Sequence, residues 1–127
     1  MTPLGIDNVF FAVGDLDAAL DFYARCGLRL KFRVEAAQMA LLSIGGEEPG
    51  LVLRQGEGIG GGRLWVEVAD AELAGAELNA LGIPTERIET ATGVTVEATD
   101  PWGNVIGFAD YAKRPELARQ AGLERQR

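Results

Sequence analysis

A chain of 127 residues is long enough for one compact domain whose core needs no disulfide or metal staple, and too short for two full-sized ones. With 47% apolar and 24% charged residues, and no apolar run approaching the ~20 residues of a membrane helix, the composition predicts a soluble globular protein. The complete lack of histidine excludes Ser-His-Asp and Cys-His catalysis, zinc triads and the two-histidine, one-carboxylate iron site.

Twelve basic residues face 19 acidic ones, a net charge of −7 that argues against nucleic acid and anionic membranes as partners. The charge is unevenly spread: Lys113 to Arg127 carry five basic and two acidic residues, or +3, which leaves −10 on residues 1 to 112. Cys26, the single cysteine, cannot form an internal disulfide. The opening residues MTPLGIDN lack the basic start and apolar stretch of a secretory signal, so the expected location is cytoplasmic.

In chain order, Ile6 to Val13 alternates as a strand, and Asp15 then stands as the N-cap of a helix whose buried face is Leu16, Ala19, Tyr23 and Cys26. Gly27 supplies the left-handed stop. Strands are predicted over 28–34, 38–44 and 50–55. A glycine-rich stretch from Gln55 to Gly62 reads as a linker; it lacks the following helix that a dinucleotide fingerprint requires.

A strand over Leu64 to Val68 follows, then a helix capped by Asp70 with Ala71, Ala74, Leu78 and Leu81 on one face, and a stop at Gly82. Further strands are predicted over 83–89, 93–99 and 104–110, the last two joined at Asp100-Pro101-Trp102-Gly103 by a type I turn. Pro115 opens a short amphipathic tail helix using Leu117, Ala118, Ala121 and Leu123.

The second half repeats the first at an offset of 55: Val13, Asp15, Asp17, Ala19, Gly27 and Leu28 fall on Val68, Asp70, Glu72, Ala74, Gly82 and Ile83, and Leu51 and Leu53 on Ile106 and Phe108. Each copy reads strand, helix, three strands. Module one spans 4–55, the linker 56–62, module two 63–111, and a basic tail 113–127.

The run Val13-Gly-Asp-Leu-Asp-Ala-Ala-Leu-Asp-Phe-Tyr23, with Gly27-Leu28 and the distant Asp100-Pro-Trp-Gly-Asn104, resembles the vicinal-oxygen-chelate superfamily of glyoxalase I, extradiol dioxygenases and bleomycin-resistance proteins. The resemblance covers residues 4 to 111. It implies an α+β fold of two βαβββ modules forming a U-shaped mixed sheet around a cleft, helices outside, and a homodimer. In metal-dependent members four ligands line the cleft. Their places fall here on Asn8, Val52, Arg63 and Gly107, which offer one weak amide oxygen, two side chains without donors and a fixed positive charge. No metal and no other cofactor is expected, as in the metal-free, drug-sequestering branch.

Strand alternation places Asn8, Phe10, Val52, Arg54, Arg63, Trp65, Glu67 and Gly107 on the ligand face, with Met39 and Leu41 as further apolar candidates. Leu51, Leu53, Leu64, Val66, Val68, Ile106 and Phe108 face the other way. The reading that follows is metal-independent capture of an aromatic or heteroaromatic small molecule. A second reading is a metal-independent lyase, isomerase or epimerase with Glu67 as base and Arg54 or Arg63 stabilising an anion. Arg54, Arg63 and Glu67 also fit solvated strand ends or a structural ion pair, Trp65 a core residue beneath the tail, Trp102 a rim or dimer contact, and Cys26 an inert core thiol.

Overall fold

The computed structural model describes residues 1–2, 4, 7–56 and 61–119, with only the backbone of residues 47–49. Its elements are β1 (Asn8–Val13), α1 (Leu16–Arg25), β2 (Arg29–Val34), β3 (Met39–Ile44), β4 (Glu47–Gln55), β5 (Arg63–Glu67), α2 (Ala71–Ala80), β6 (Glu86–Glu89), β7 (Val94–Thr99) and β8 (Val105–Ala109). Single 3₁₀ turns lie at Glu35–Ala37 and Pro115–Leu117. The expected tail helix begins here with the 3₁₀ turn at Pro115–Leu117, and its remainder from residue 120 on, Ala121 and Leu123 included, lies outside the described residues. So does most of the glycine-rich linker, residues 57–60.

The chain divides into two compact units, Met1–Gly62 with Asp100–Asn104, and Arg63–Thr99 with the chain from Val105. Each holds one four-stranded mixed sheet and one helix, with strand orders β1-β4-β3-β2 and β5-β8-β7-β6. In both sheets the first and last strands of the module run parallel and the remaining neighbours antiparallel. The offset of 55 survives in the pairing, since Asn8 opposite Gly50 becomes Arg63 opposite Val105, and Phe10 opposite Val52 becomes Trp65 opposite Gly107.

Local chemistry explains where the helices start and stop. Asp15 and Asp70 sit in extended backbone, and their carboxylates accept the N–H groups of Ala18 and Leu73, each cap worth about 1 kcal/mol. Gly27 and Gly82 take φ of 87° and 84°, a left-handed conformation that a Cβ would strain. A second pair of caps follows the repeat. Gln55 Oε1 accepts the Leu16 N–H at 2.8 Å, and Asp110 Oδ2, 55 residues on, accepts that of Ala71 at 2.9 Å. The end of each parallel strand therefore ties down the first turn of its helix.

The first unit buries Phe11, Val13, Leu16, Ala19, Phe22 and Tyr23 against Ala40, Leu42, Leu51 and Leu53. Tyr23 packs edge-on against Phe22, with ring centroids 5.0 Å apart, and donates its hydroxyl to Asp100 Oδ2 at 2.8 Å. Burial first, and then the Asp100 carboxylate, raises the phenol pKa beyond any physiological pH. The turn motif is a polar hub. Asp100 Oδ1 accepts the Trp102 and Asn104 N–H groups, both at 2.9 Å, while Asn104 donates to Ala12 O and Asp100 Oδ2 and accepts from Gly61 and Gly62. The Gly103 N–H to Asp100 O bond at 3.2 Å closes the expected turn. Cys26 is buried, and burial pushes its thiol up to about 12, so it is an inert core residue.

In the second unit α2 presents Ala71, Gly75 and Leu78 to the core, joined by Ile83, Val94, Val96, Ala98, Ile106 and Phe108. Leu81 was expected on that face. It is the C-cap, half exposed, because the chain turns away at Gly82.

Candidate functional site

Each sheet has one face turned from its helix, and the register aligns side chains on it in rows. In the first sheet one row runs Phe10, Val52, Leu41, Phe32 across β1, β4, β3 and β2. A register shift between Leu30 and Phe32 sets Phe32 opposite Leu41 and Val34 opposite Met39. These residues, with Asn8 and Ala40, line a cavity of about 160 Å³ whose only polar side chain among the described residues is that of Asn8. Phe10 is 59% exposed, Phe32 52% and Val34 42%, a concentration of wet apolar surface on one sheet face.

The corresponding row of the second sheet is Trp65, Gly107, Glu97, Glu86 across β5, β8, β7 and β6. Trp65 passes over Gly107, where a Cβ would stand 2.5 Å from its Cδ1, and reaches beyond it to donate its indole N–H to Glu97 Oε2 at 2.7 Å. Arg63 grips the same carboxylate side-on, Nη2 to Oε1 and Nε to Oε2, both at 3.0 Å. Glu97 is 7% exposed, and the Arg63 side chain is 63% exposed. A buried carboxylate is thus neutralised by a guanidinium that remains in water. Pro84, Thr85, Thr99 and Val105 line, with Arg63, Glu86 and Glu97, a pocket of mixed polar and apolar character.

The expected residues divide into two sets of four. Asn8, Phe10, Val52 and Arg54 belong to the first sheet, and all but Arg54 line its cavity. Arg54 is exposed and follows Val52 on the same face. Trp65, Arg63 and Gly107 meet around Glu97 in the second sheet. Glu67 departs from its expected partners: it is held by Arg119, whose guanidinium Nη1 lies 2.6 Å from Oε1 and whose backbone N–H lies 3.0 Å from Oε2, and not by Arg54 or Arg63. The tail reaches it after an anchor at β6, where Lys113 bonds to Glu89 and Thr90. For Glu67 to act as a general base, its contacts with Arg119 would first have to open.

Sequence reading missed Phe32, Val34 and Glu97. Their strands alternate visibly, Leu-Lys-Phe-Arg-Val over 30–34 and Val-Thr-Val-Glu-Ala-Thr over 94–99, so the polar face of β7 was available from the pattern.

The donor set at the four family ligand positions does not fit a divalent cation. Asn8 Oδ1 is turned to the Gly50 N–H at 3.3 Å, Val52 and Gly107 have no side-chain donor, and Arg63 brings a positive charge already paired with Glu97. No cluster of three His, Cys, Asp or Glu side chains suited to a metal occurs among the described residues.

Two four-stranded mixed sheets, each with one helix, built from a repeated βαβββ module define a recognisable class. The model of the Glyoxalase/Bleomycin resistance protein/Dioxygenase superfamily matches residues 5–108, and the chain belongs to that superfamily. None of the curated proteins matches it. Among solved structures it is similar to TnmS3, an antibiotic binding protein from Streptomyces sp. CB03234, at 23% identity and TM-score 0.74 over 88% of this chain and 99% of that one. It is also similar to the bleomycin resistance determinant encoded on the transposon Tn5, at 16% identity and TM-score 0.69 over 85% and 98%. A lactoylglutathione lyase from Agrobacterium tumefaciens shares 21% identity and TM-score 0.72 over 87% and 96%. At such identities the likeness is one of fold. No helix among the described residues is long and apolar enough to cross a membrane.

Proposed function

We propose that this protein binds an aromatic or heteroaromatic small molecule without a metal ion, for sequestration or resistance. The observation that carries the reading is the apolar cavity of the first sheet, where Phe10, Phe32 and Val34 stay substantially exposed around Met39, Leu41 and Val52. Exposed apolar surface is costly in water, at roughly 25 cal/mol per Å², and a concave patch of it is recovered by a ligand. The antibiotic-binding and resistance proteins among the structural neighbours support the same reading. Metal independence is supported by the donor set described above. A homodimer belongs to the proposal on the family resemblance.

A thermal-shift screen of antibiotics and aromatic metabolites in chelator-treated buffer tests it, because a ligand that binds only the folded state raises the melting temperature. The expected result is a shift of several degrees that is abolished by Phe32→Ala and untouched by Arg25→Gln on the outer helix. Equal loss in both variants, or shifts that appear only when a divalent metal is restored, contradicts the reading.

A further inference from the structure

The two sheets present equivalent rows of opposite chemistry, and the polar one has a specificity of its own. We propose that Arg63 and Trp65 form a receptor for the carboxylate of a flat aromatic acid, with the guanidinium standing at a position where metal-dependent relatives place a cation ligand. This rests on the small-molecule reading above and adds the ligand's charge to it.

The argument concerns which hydrogen-bonding groups the network leaves open. Glu97 is spent as an acceptor: Oε1 takes Arg63 Nη2, and Oε2 takes Arg63 Nε and Trp65 Nε1, all within 3.0 Å. Arg63 is spent only along one edge. Its Nε and one Nη2 N–H face Glu97, which leaves both Nη1 N–H groups and the second Nη2 N–H on the opposite edge, and the side chain is 63% exposed. What remains for a ligand is a planar fork of donors, matched in geometry to a carboxylate. The bidentate grip of Glu97 fixes the orientation of that fork in advance.

Trp65 supplies the second half. Its indole passes over Gly107, is tethered by its N–H to the same carboxylate and is 44% exposed, so it offers a fixed aromatic surface beside the guanidinium. Arg63 and Glu97 line a pocket of about 300 Å³ together with the hydroxyl residues Thr85 and Thr99. Glu86, directly across the ladder from Glu97, adds a negative charge at the rim. That rim and the net charge of −7 select a monoanion over a polyphosphate.

The test is calorimetric titration of the whole protein with three isosteric probes: 2-naphthoate, 2-naphthamide and 2-naphthylmethylammonium. The expected result is that the carboxylate binds about tenfold tighter than the amide, with a preference that shrinks at high salt. Arg63→Gln is expected to abolish the preference. Arg63→Lys, which keeps a cation beside Glu97 and guards against misfolding, is expected to lose most of it, because an ammonium cannot span two carboxylates. Equal binding of carboxylate and amide overturns the inference while leaving aromatic capture intact, as does tightest binding of the ammonium probe. Full discrimination in both Arg63 variants overturns it too, and binding by none of the three at millimolar concentration overturns both it and the reading beneath it.

Discussion

Gly107 shows how one residue decides what a sheet face can do. A divalent-metal site of this family would need a donor there, and this chain has no side chain at all, which is why the Trp65 ring can cross β8 to reach Glu97. Restoring even a methyl group forces the indole off that path, since the Cβ would stand 2.5 Å from Cδ1 and 2.8 Å from Nε1. Gly107→Ala is therefore expected to break the Trp65 to Glu97 hydrogen bond and shift the fluorescence of Trp65, with a stability loss of about 1–3 kcal/mol from the weakened carboxylate network. Fluorescence measured in a Trp102→Phe background isolates the signal. An unchanged spectrum and midpoint would show that the indole does not lie over this glycine. The same local logic explains why Arg63 was legible as a broken metal position while its partner was not: Glu97 lies 34 residues away, and no spacing rule links them.

At the scale of elements, the caps at the strand ends organise the modules. Asp110 is 5% exposed and accepts the N–H groups of Ala71, Val94 and Ala112 at 2.9, 3.0 and 3.2 Å. Burial by itself would raise its pKa, but the three backbone donors together outweigh it and hold the carboxyl below its ordinary value. A depressed folded pKa means that the stabilisation is fully present above the unfolded value of about 3.9 and is lost as pH falls through the folded one. Asp110→Asn is expected to cost about 1–3 kcal/mol at pH 7, because an amide cannot accept from all three groups. The gap from the parent protein should narrow as pH falls below 4, and urea midpoints at pH 7 and pH 3 measure it; a gap that widens in acid contradicts the assignment.

Elements were legible where a local signal repeated. The two capping aspartates, the two glycine stops and the Asp-Pro-Trp-Gly turn each fix a boundary by their own chemistry, and the offset of 55 confirmed one copy by the other. The signal failed where the copies diverge. β7 pairs one residue out of step with the simple repeat, Glu97 standing opposite Gly107 as Leu41 stands opposite Val52, and β2 carries a register shift after Leu30. Projecting one module onto the other therefore does not give the faces of these strands. The tail contact between Arg119 and Glu67 joins residues 52 apart and leaves no trace in periodicity.

For the whole molecule, duplication followed by divergence is the organising fact. One βαβββ plan, used twice, has given a first sheet whose open face is apolar and a second whose open face is built on a neutralised buried carboxylate. At the four positions that the family resemblance assigns to metal ligands, Asn8, Val52, Arg63 and Gly107, the side chains do not make a donor set for a divalent cation. The acidic body adds a negative field that is screened over ~8 Å at physiological salt. Ligand capture, on this account, is a property of side chains at rows set by strand register.

The most direct measurement is a methyl and aromatic NMR titration of the chelator-treated protein with neutral 2-naphthamide. The account predicts shift changes concentrated on Phe10, Phe32, Val34, Met39, Leu41 and Val52, with the outer-helix residues Leu20 and Ala24 unmoved. Changes confined to other surfaces, or changes at those residues that appear only after a divalent metal is added, would contradict it.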